Sequence, residues 1–225
     1  MNQIKVQIQE IYGDDRSVAM SAWTSSYDSE VKELKTDEDV ARVVNMLADL
    51  KHSVPFESII CRIWMRLPIA IDRQHMTHRI GSHSGMSGRY RTMPNEYYDM
   101  PDDVMRILGK ADIRILDYAS VCSLANQTYN KQVEYLKQEE KDGNISNKEL
   151  KRAREFLRGM LPQHNITERV SIMNLRSLAN YIKLRAKPDA QPEIQYIARE
   201  IERQLRESGK CPIAIEALER NNWII

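Results

Sequence analysis

The sequence has few cysteines, and the three that it has stand far apart. Cys61, Cys122 and Cys211 form no CxxC pair, and their odd number leaves at least one unpaired. Structural zinc sites need closely paired ligands, and a disulfide framework needs an even number of cysteines. We therefore expect three reduced thiols and no bound metal.

Long apolar runs are also missing. No stretch approaches the ~20 residues that a membrane-spanning helix requires. Residues 1–6 alternate polar and apolar side chains and lack the apolar core of a secretory signal. These absences predict a soluble, cytoplasmic protein without a membrane partner.

An excess of charge of one sign is absent as well. Lys and Arg total 33 against 32 for Asp and Glu, so the formal net charge is +1. Nucleic-acid-binding domains normally carry a basic excess, so we expect no polynucleotide partner. The even balance does not exclude local basic pockets for small anionic ligands. The sequence contains no Gly-x-Gly-x-x-Gly string, P-loop or Gly-x-Ser-x-Gly elbow. A phosphate-bearing ligand would therefore need a less familiar fold.

Hydrophobic residues make up 42% of the chain, which is enough for a core, and their periodicity predicts both helices and strands. The predicted strands are 4–8, 57–66 and 167–173. The predicted helices are 17–27, 37–51 with Asp37 or Thr36 as N-cap, one beginning at 69–71, 113–141, one capped by Ser146 or Asn147 that ends before Pro162, 175–184 and 193–205. The absence of a repeat or linker favours one α+β domain over residues 1–225, with a central β-sheet flanked by helices.

Residues 73–91 are rich in His, Arg, Ser and Gly and have little apolar periodicity, which predicts a helix end followed by a loop. Within it, Ser87, Gly88 and Arg89 offer a hydroxyl, an accessible backbone amide and a guanidinium, which together suit a phosphate. The alternative is a solvated loop, and spacing alone favours it because such strings are common. His78 and Arg79 are either a ligand-contacting pair or an ordinary basic helix end.

A second polar cluster lies towards the C-terminus and contains Arg154, Arg158, Arg176 and Arg185. Asn174, Ser177 and Asn180 recur every three residues, so they share a helix face. This pattern indicates a helix that lines a polar cavity. Helix capping by Asn174 is the alternative.

Read together, these segments resemble the flavin-dependent thymidylate synthases. The signature of that family is Arg-His-Arg, seven residues and Ser, and this chain has Thr77-His78-Arg79, seven residues and Ser87. A weaker similarity covers 22–25. Further matching blocks follow in the order of the family: 51–52, 55–57, 73–74, Arg158, 161–162, Thr167, Asn174, 176–178, Asn180, 184–185, 190–191 and 193–194.

The resemblance implies an α+β homotetramer with active sites at subunit junctions, FAD as cofactor, and NADPH and methylenetetrahydrofolate as co-substrates. The reaction would transfer a one-carbon unit to C5 of dUMP to give dTMP. The flavin-contacting positions would be Ser25, Glu57, His78, Arg79, Ile80, Asn174, Asn180 and Leu184. The nucleotide-contacting positions would be Gln74, Ser87, Gly88, Arg89, Arg158 and Arg185, with Arg185 and Ser87 as catalytic residues.

The chain departs from the family pattern near the signature. Thr77 stands in place of an Arg, Ser84 in place of an Asn and Gly85 in place of a Glu; Val54, Ser58 and Pro192 also differ. One hypothesis is a changed product, such as a hydroxymethyl or other C5-modified pyrimidine deoxynucleotide. Drift with retained activity is the favoured explanation.

Two alternatives come from other classes of protein. A nucleic-acid-binding module would use residues 89–91 and the basic segment 151–158, and the even charge balance counts against it. A non-catalytic family member would serve assembly only.

Overall fold

The computed structural model describes residues 3–110 and 116–223, which contain both helices and one four-stranded sheet. The predicted α+β class is confirmed. The strands are β1 Lys5–Tyr12, β2 Ile60–Pro68, β3 Ser82–Gly85 and β4 Ile166–Asn174, in the order β1-β2-β4-β3. The helices are α1 Asp15–Trp23, α2 Ser29–Glu33, α3 Asp37–Asp49, α4 Ile69–His75, α5 Asp102–Lys110, α6 Leu116–Lys141, α7 Asn147–Leu157, α8 Leu175–Arg185, α9 Pro192–Glu207 and α10 Pro212–Arg220.

The described residues form two compact units. The larger unit consists of residues 4–65, 74–84 and 170–223, and the smaller unit of Gln3, 66–73 and the described part of 85–169. Strands β2 and β4 contribute residues to both. One domain over residues 1–225 therefore stays a prediction.

The larger unit is built from helices that pack on one another and on β1. In α3, Val40, Val44 and Leu47 recur at helical spacing and are buried. Thr36 accepts a hydrogen bond from the Asp39 amide and begins this helix, so the predicted N-cap is confirmed. Helix α1 begins at Asp15, two residues before the predicted start, because the Asp14 side chain caps it.

Helix α10 was not predicted, and a distant carboxylate holds its first turn. The buried Asp15 accepts hydrogen bonds from the amides of Ile213 (3.1 Å) and Ala214 (2.8 Å). These amides belong to the first turn of the helix and have no partner within it. A contact across almost two hundred residues therefore fixes this helix.

The smaller unit has its own apolar core, in which Met93, Tyr129, Val133 and Leu161 are buried together. The Ser146–Glu149 capping box begins α7, which confirms the predicted cap. The predicted helix 113–141 is confirmed from residue 116 onwards, and its first three residues lie outside the described part of the chain.

Several predicted boundaries were wrong. The segment 73–91, predicted as a helix end and a loop, also contains the short edge strand β3. Strand β2 begins at Ile60, after a 3₁₀ turn at Val54–Ser58. Helices α2 and α5 were not predicted, although Val104, Ile107 and Leu108 of α5 recur at helical spacing, and neither helix has a buried residue.

All three cysteines are buried free thiols. Burial raises the pKa of the Cys61 thiol and of the Cys211 thiol to about 12. Within the part of the chain that the structure describes, no helix is long and apolar enough to cross a membrane.

Candidate active site

A cavity of about 800 Å³ lies in the larger unit. Its walls come from α8, from the end of β4, from the segment that follows α4, and from residues that follow α3 and α10. Lys51, Ser53, Thr77, His78, Arg79, Ile80, Met173, Arg176, Ser177, Ala179, Asn180, Lys183, Leu184, Arg185, Asn221 and Trp223 line it. A volume of this order suits a cofactor-sized ligand.

The charge of the lining has one sign. Five of these residues are cationic (Lys51, Arg79, Arg176, Lys183 and Arg185), and none of the described lining residues is acidic. Apolar surface stands beside the cations, because Met173, Leu184 and Trp223 also line the cavity. A ligand that carries phosphates and a flat ring fits this combination.

Six residues predicted to contact ligand lie in this lining, although they come from two distant segments. His78, Arg79 and Ile80 follow α4, whereas Asn180, Leu184 and Arg185 belong to α8. The structure thus brings the signature segment and the asparagine-bearing helix to one cavity.

Arg185 is tied to two residues of the signature segment. Its Nε donates to His78 Nε2 at 2.9 Å, and its Nη2 donates to Thr77 Oγ1 at 3.0 Å. Thr77 Oγ1 in turn donates to the carbonyl of Gln74 at 2.7 Å. These contacts fix the guanidinium against the end of α4.

His78 is neutral at ordinary pH. Burial, Arg185 and His83 together lower the pKa of its imidazole to about 4. The His78 ring also packs edge-on against Tyr181, with 4.7 Å between the ring centroids. Burial raises the pKa of the Tyr181 hydroxyl, so that group is neutral as well. Of His78, Tyr181 and Arg185, only Arg185 therefore carries a positive charge.

The three polar residues predicted to share a face of α8 have different surroundings: one caps the helix and two line the cavity. The Asn174 side chain accepts from the Ser177 amide at 2.8 Å and caps the helix, as the capping alternative predicted. Ser177 and Asn180 line the cavity. The Ser177 hydroxyl is buried and has no hydrogen-bond partner in the described residues, so it is available to a ligand.

Three other predicted contacts lie outside the described lining. Glu57 pairs with the lining residue Arg176, with 2.5 Å between Oε1 and Nη1. Gln74 donates to the Gln191 side chain at 2.6 Å. Ser25 is exposed after α1 and donates to the carbonyl of Ala22. Their roles toward ligand stay predictions.

The remaining predicted positions cluster in the smaller unit. Ser87, Gly88 and Arg89 form a turn in which the Ser87 carbonyl accepts from the amides of Tyr90 and Arg91. A Cβ on Gly88 would lie 3.2 Å from Arg158 Cδ, so only glycine lets the turn lie this close to Arg158 without displacing its side chain. The structure thus places the Ser-Gly-Arg turn against Arg158.

Two charged side chains of α7 also lie near this part of the chain. Glu155 pairs with Arg89, with 3.0 Å between Oε1 and Nε. Arg154 is buried one helical turn before Arg158, and its Nε and Nη2 have no hydrogen-bond partner in the described residues. A buried guanidinium needs acceptors, and an anion would supply them.

The structure explains one departure from the family signature. A Cβ on Gly85 would lie 3.0 Å from Arg169 Nη1 and Nη2. Only 11% of the Arg169 side chain is exposed, and it forms a two-pronged ion pair with Asp72. The space beside Gly85 is therefore occupied by a guanidinium whose charge Asp72 already neutralises.

Sequence reasoning missed several residues that surround the cavity. Lys51 lay in a matching block, but Lys183, Asn221 and Trp223 gave no local signal. A buried polar chain also went unpredicted: the Ser171 hydroxyl lies 2.9 Å from His75 Nε2 and 2.9 Å from His83 Nδ1. The edge-on contact between His75 and Tyr181 links this chain to the wall of the cavity.

Comparison with known proteins gives consistent matches. A family profile described as thymidylate synthase complementing protein matches residues 8–212. The flavin-dependent thymidylate synthase of Thermosipho melanesiensis is 32% identical over 97% of this chain and 91% of its own length. The enzyme of the same name from Kosmotoga olearia is 33% identical over 94% of this chain and 88% of its own length.

A solved structure shares the fold. The UMP/dUMP methylase PolB from Streptomyces cacaoi, crystallised with 5-Br dUMP, superposes with a TM-score of 0.74 and 21% identity. The superposition covers 98% of this chain and 97% of the other.

Proposed function

The chain belongs to the thymidylate synthase complementing protein family, and we propose that it is a flavin-dependent thymidylate synthase that uses FAD, methylenetetrahydrofolate and NADPH to convert dUMP into dTMP. The observation that carries this proposal is the cavity of the larger unit. It combines cationic and apolar lining residues, and six of them were predicted from the sequence to contact flavin or nucleotide.

The residues of the cavity fit FAD. Its pyrophosphate needs cations and hydrogen-bond donors, and Arg79, Lys51 and the unpartnered Ser177 hydroxyl offer them. Its planar ring needs apolar surface, which Trp223 and Leu184 offer. When bound, FAD supplies the redox chemistry of the reaction.

For the nucleotide we propose the turn of the smaller unit. Arg89 and Arg158 neutralise the phosphate, and the Ser87 hydroxyl and Gly88 amide donate hydrogen bonds to it. Gln74, which belongs to the larger unit, stays a predicted nucleotide contact. The closeness of Gly88 to the Arg158 side chain supports this assignment, because it brings the Ser-Gly-Arg turn and Arg158 to the same place.

Arg185 is proposed to act on the pyrimidine ring. As C5 becomes nucleophilic, negative charge builds on a carbonyl oxygen, and a guanidinium that is already oriented stabilises that charge without reorganisation. The hydrogen bonds from Arg185 to His78 and Thr77 provide this orientation. Ser87 is the second proposed catalytic residue, through its place beside the bound nucleotide.

We further propose a homotetramer with active sites at subunit junctions. Large apolar side chains are exposed along the helices of the smaller unit, among them Ile107, Val121, Leu124, Tyr135 and Phe156. Exposed apolar side chains of this size are candidates for burial against another copy of the chain. Light scattering on the purified protein measures the assembly directly, and Leu124→Asp should shift it towards smaller species.

The function is tested by incubating the purified protein with FAD, dUMP, methylenetetrahydrofolate and NADPH and weighing the nucleotide product. We expect the mass of dTMP. A hydroxymethyl mass would instead support the changed product considered for the Thr77, Ser84 and Gly85 departures. A protein that neither binds FAD nor consumes dUMP would overturn the proposal.

A further inference from the structure

We propose that Thr77 is a positioning residue for Arg185. It replaces the first arginine of the family signature, and its hydroxyl holds the guanidinium that acts on the nucleotide. The inference rests on the proposed function for the role of Arg185. The geometry that supports it lies wholly within the larger unit.

The Thr77 hydroxyl makes two hydrogen bonds of opposite sense. It donates its only proton to the Gln74 carbonyl at 2.7 Å and accepts from Arg185 Nη2 at 3.0 Å. Because the proton is committed to Gln74, the oxygen lone pairs face Arg185, and donation strengthens the oxygen as an acceptor. Thr77 therefore links the last turn of α4 to the guanidinium.

His78, the next residue along the chain, accepts the second hydrogen bond from Arg185. A guanidinium only donates, so His78 Nε2 must be unprotonated to accept from Arg185 Nε at 2.9 Å. The proton of the neutral ring is then on Nδ1. Thr77 and His78 thus accept hydrogen bonds from two nitrogens of the Arg185 guanidinium, and the two bonds together fix its plane.

These two hydrogen bonds leave most N–H groups of the Arg185 guanidinium available to a ligand. Arginine carries five N–H groups, and the two contacts use two, which leaves three (5 − 2 = 3). An arginine at position 77 would offer no acceptor, so it could not make the hydrogen bond that Thr77 Oγ1 accepts from Arg185. Threonine at this position therefore provides a hydrogen bond that orients Arg185, which the signature arginine would not provide.

The matched pair of variants is Thr77→Val and Thr77→Ser. Valine keeps the shape and removes the hydroxyl, whereas serine keeps the hydroxyl. In Thr77→Val we expect kcat for dTMP formation to fall ~10- to 100-fold, the order of loss that follows misplacement of a catalytic group. The KM for dUMP and the Kd for FAD should stay within ~3-fold, because the phosphate and cofactor contacts remain. Thr77→Ser should retain most of the parental kcat.

A second readout does not depend on turnover. In protein labelled with ¹⁵N-arginine, the Arg185 Nε–H signal, identified by its loss in Arg185→Lys, should be sharp in the parent and in Thr77→Ser. In Thr77→Val it should broaden through exchange with water, because the guanidinium is then held at one point only.

The outcomes separate the two proposals. Parental kcat and an unchanged Nε–H signal in Thr77→Val would overturn the positioning role. A parent that makes no nucleotide product would overturn the proposed function, while the Nε–H signal would still decide whether Thr77 holds Arg185. A uniform loss of FAD binding in both variants would show a structural role and would also count against positioning.

Discussion

Arg89 and Glu155 form an ion pair in the smaller unit, with 3.0 Å between Nε and Oε1. The proposed function requires Arg89 to bind a phosphate, so the carboxylate and the nucleotide compete for one guanidinium. Both side chains are partly exposed, and such a pair is worth ~1 kcal/mol or less. Glu155→Gln should therefore tighten dUMP binding by up to ~5-fold, as measured by calorimetry at low salt.

The control for this prediction is Glu134→Gln, which makes the same change in net charge at an exposed position of α6. Equal dUMP affinities in the two variants would show that Glu155 does not compete with the nucleotide.

Arg158 is expected to determine nucleotide affinity. Arg158→Ala removes a charge-assisted hydrogen bond to the phosphate, which is worth ~1.5–3 kcal/mol, and should raise the Kd for dUMP ~10- to 150-fold. Flavin absorbance should stay, because the cavity of the larger unit keeps all its lining residues. Lys148→Ala, an exposed position of α7, is the control and should bind dUMP like the parent. A parental Kd in Arg158→Ala would refute the assignment.

The Asp72–Arg169 pair is expected to matter for stability. Asp72→Ala leaves the largely buried Arg169 guanidinium without its counter-charge, and we expect a loss of ~3–5 kcal/mol in the free energy of unfolding measured in urea. The double variant Asp72→Ala with Arg169→Leu should recover much of this loss, since no buried charge remains. Glu207→Ala breaks the exposed pair with Arg203 and should leave the free energy of unfolding almost unchanged.

His78 is expected to make stability depend on pH. Its pKa is about 4 in the folded protein against an ordinary 6.5, so the unfolded chain takes up the proton first as the pH falls. This group therefore lowers the free energy of unfolding progressively between pH 6.5 and 4 and has no effect above that window. His78→Gln should flatten this part of the profile in urea titrations. An identical slope in parent and variant would contradict the lowered pKa.

The sequence predicted those parts of the fold whose determinants are local. The Thr36 and Ser146 caps and the apolar spacing of α3 lie within single helices, so they were visible without a structure. The signature segment and α8 were likewise predicted to share a ligand site, because His78, Arg79, Asn180 and Arg185 belong to blocks shared with one family. The structure brings these four residues to one cavity, and their contacts with a ligand stay predictions.

What the sequence did not predict depends on distant partners. Strand β3 has no apolar alternation and is an edge strand beside β4. Arg169 and Asp72 are 97 residues apart, and no local pattern announces their pairing or the space that it takes beside Gly85. Trp223 reaches the cavity only because α10 packs on α3.

The three inaccessible thiols make the native protein a poor target for alkylating reagents. Thiolates are the reactive form, and at neutral pH a group with a pKa of about 12 is almost entirely protonated. Iodoacetamide should thus modify Cys61 and Cys211 only in molecules that have opened. The extent of modification then measures the fraction of opened molecules. Inhibitors that react with an accessible thiol should not label the native protein at Cys61 or Cys211.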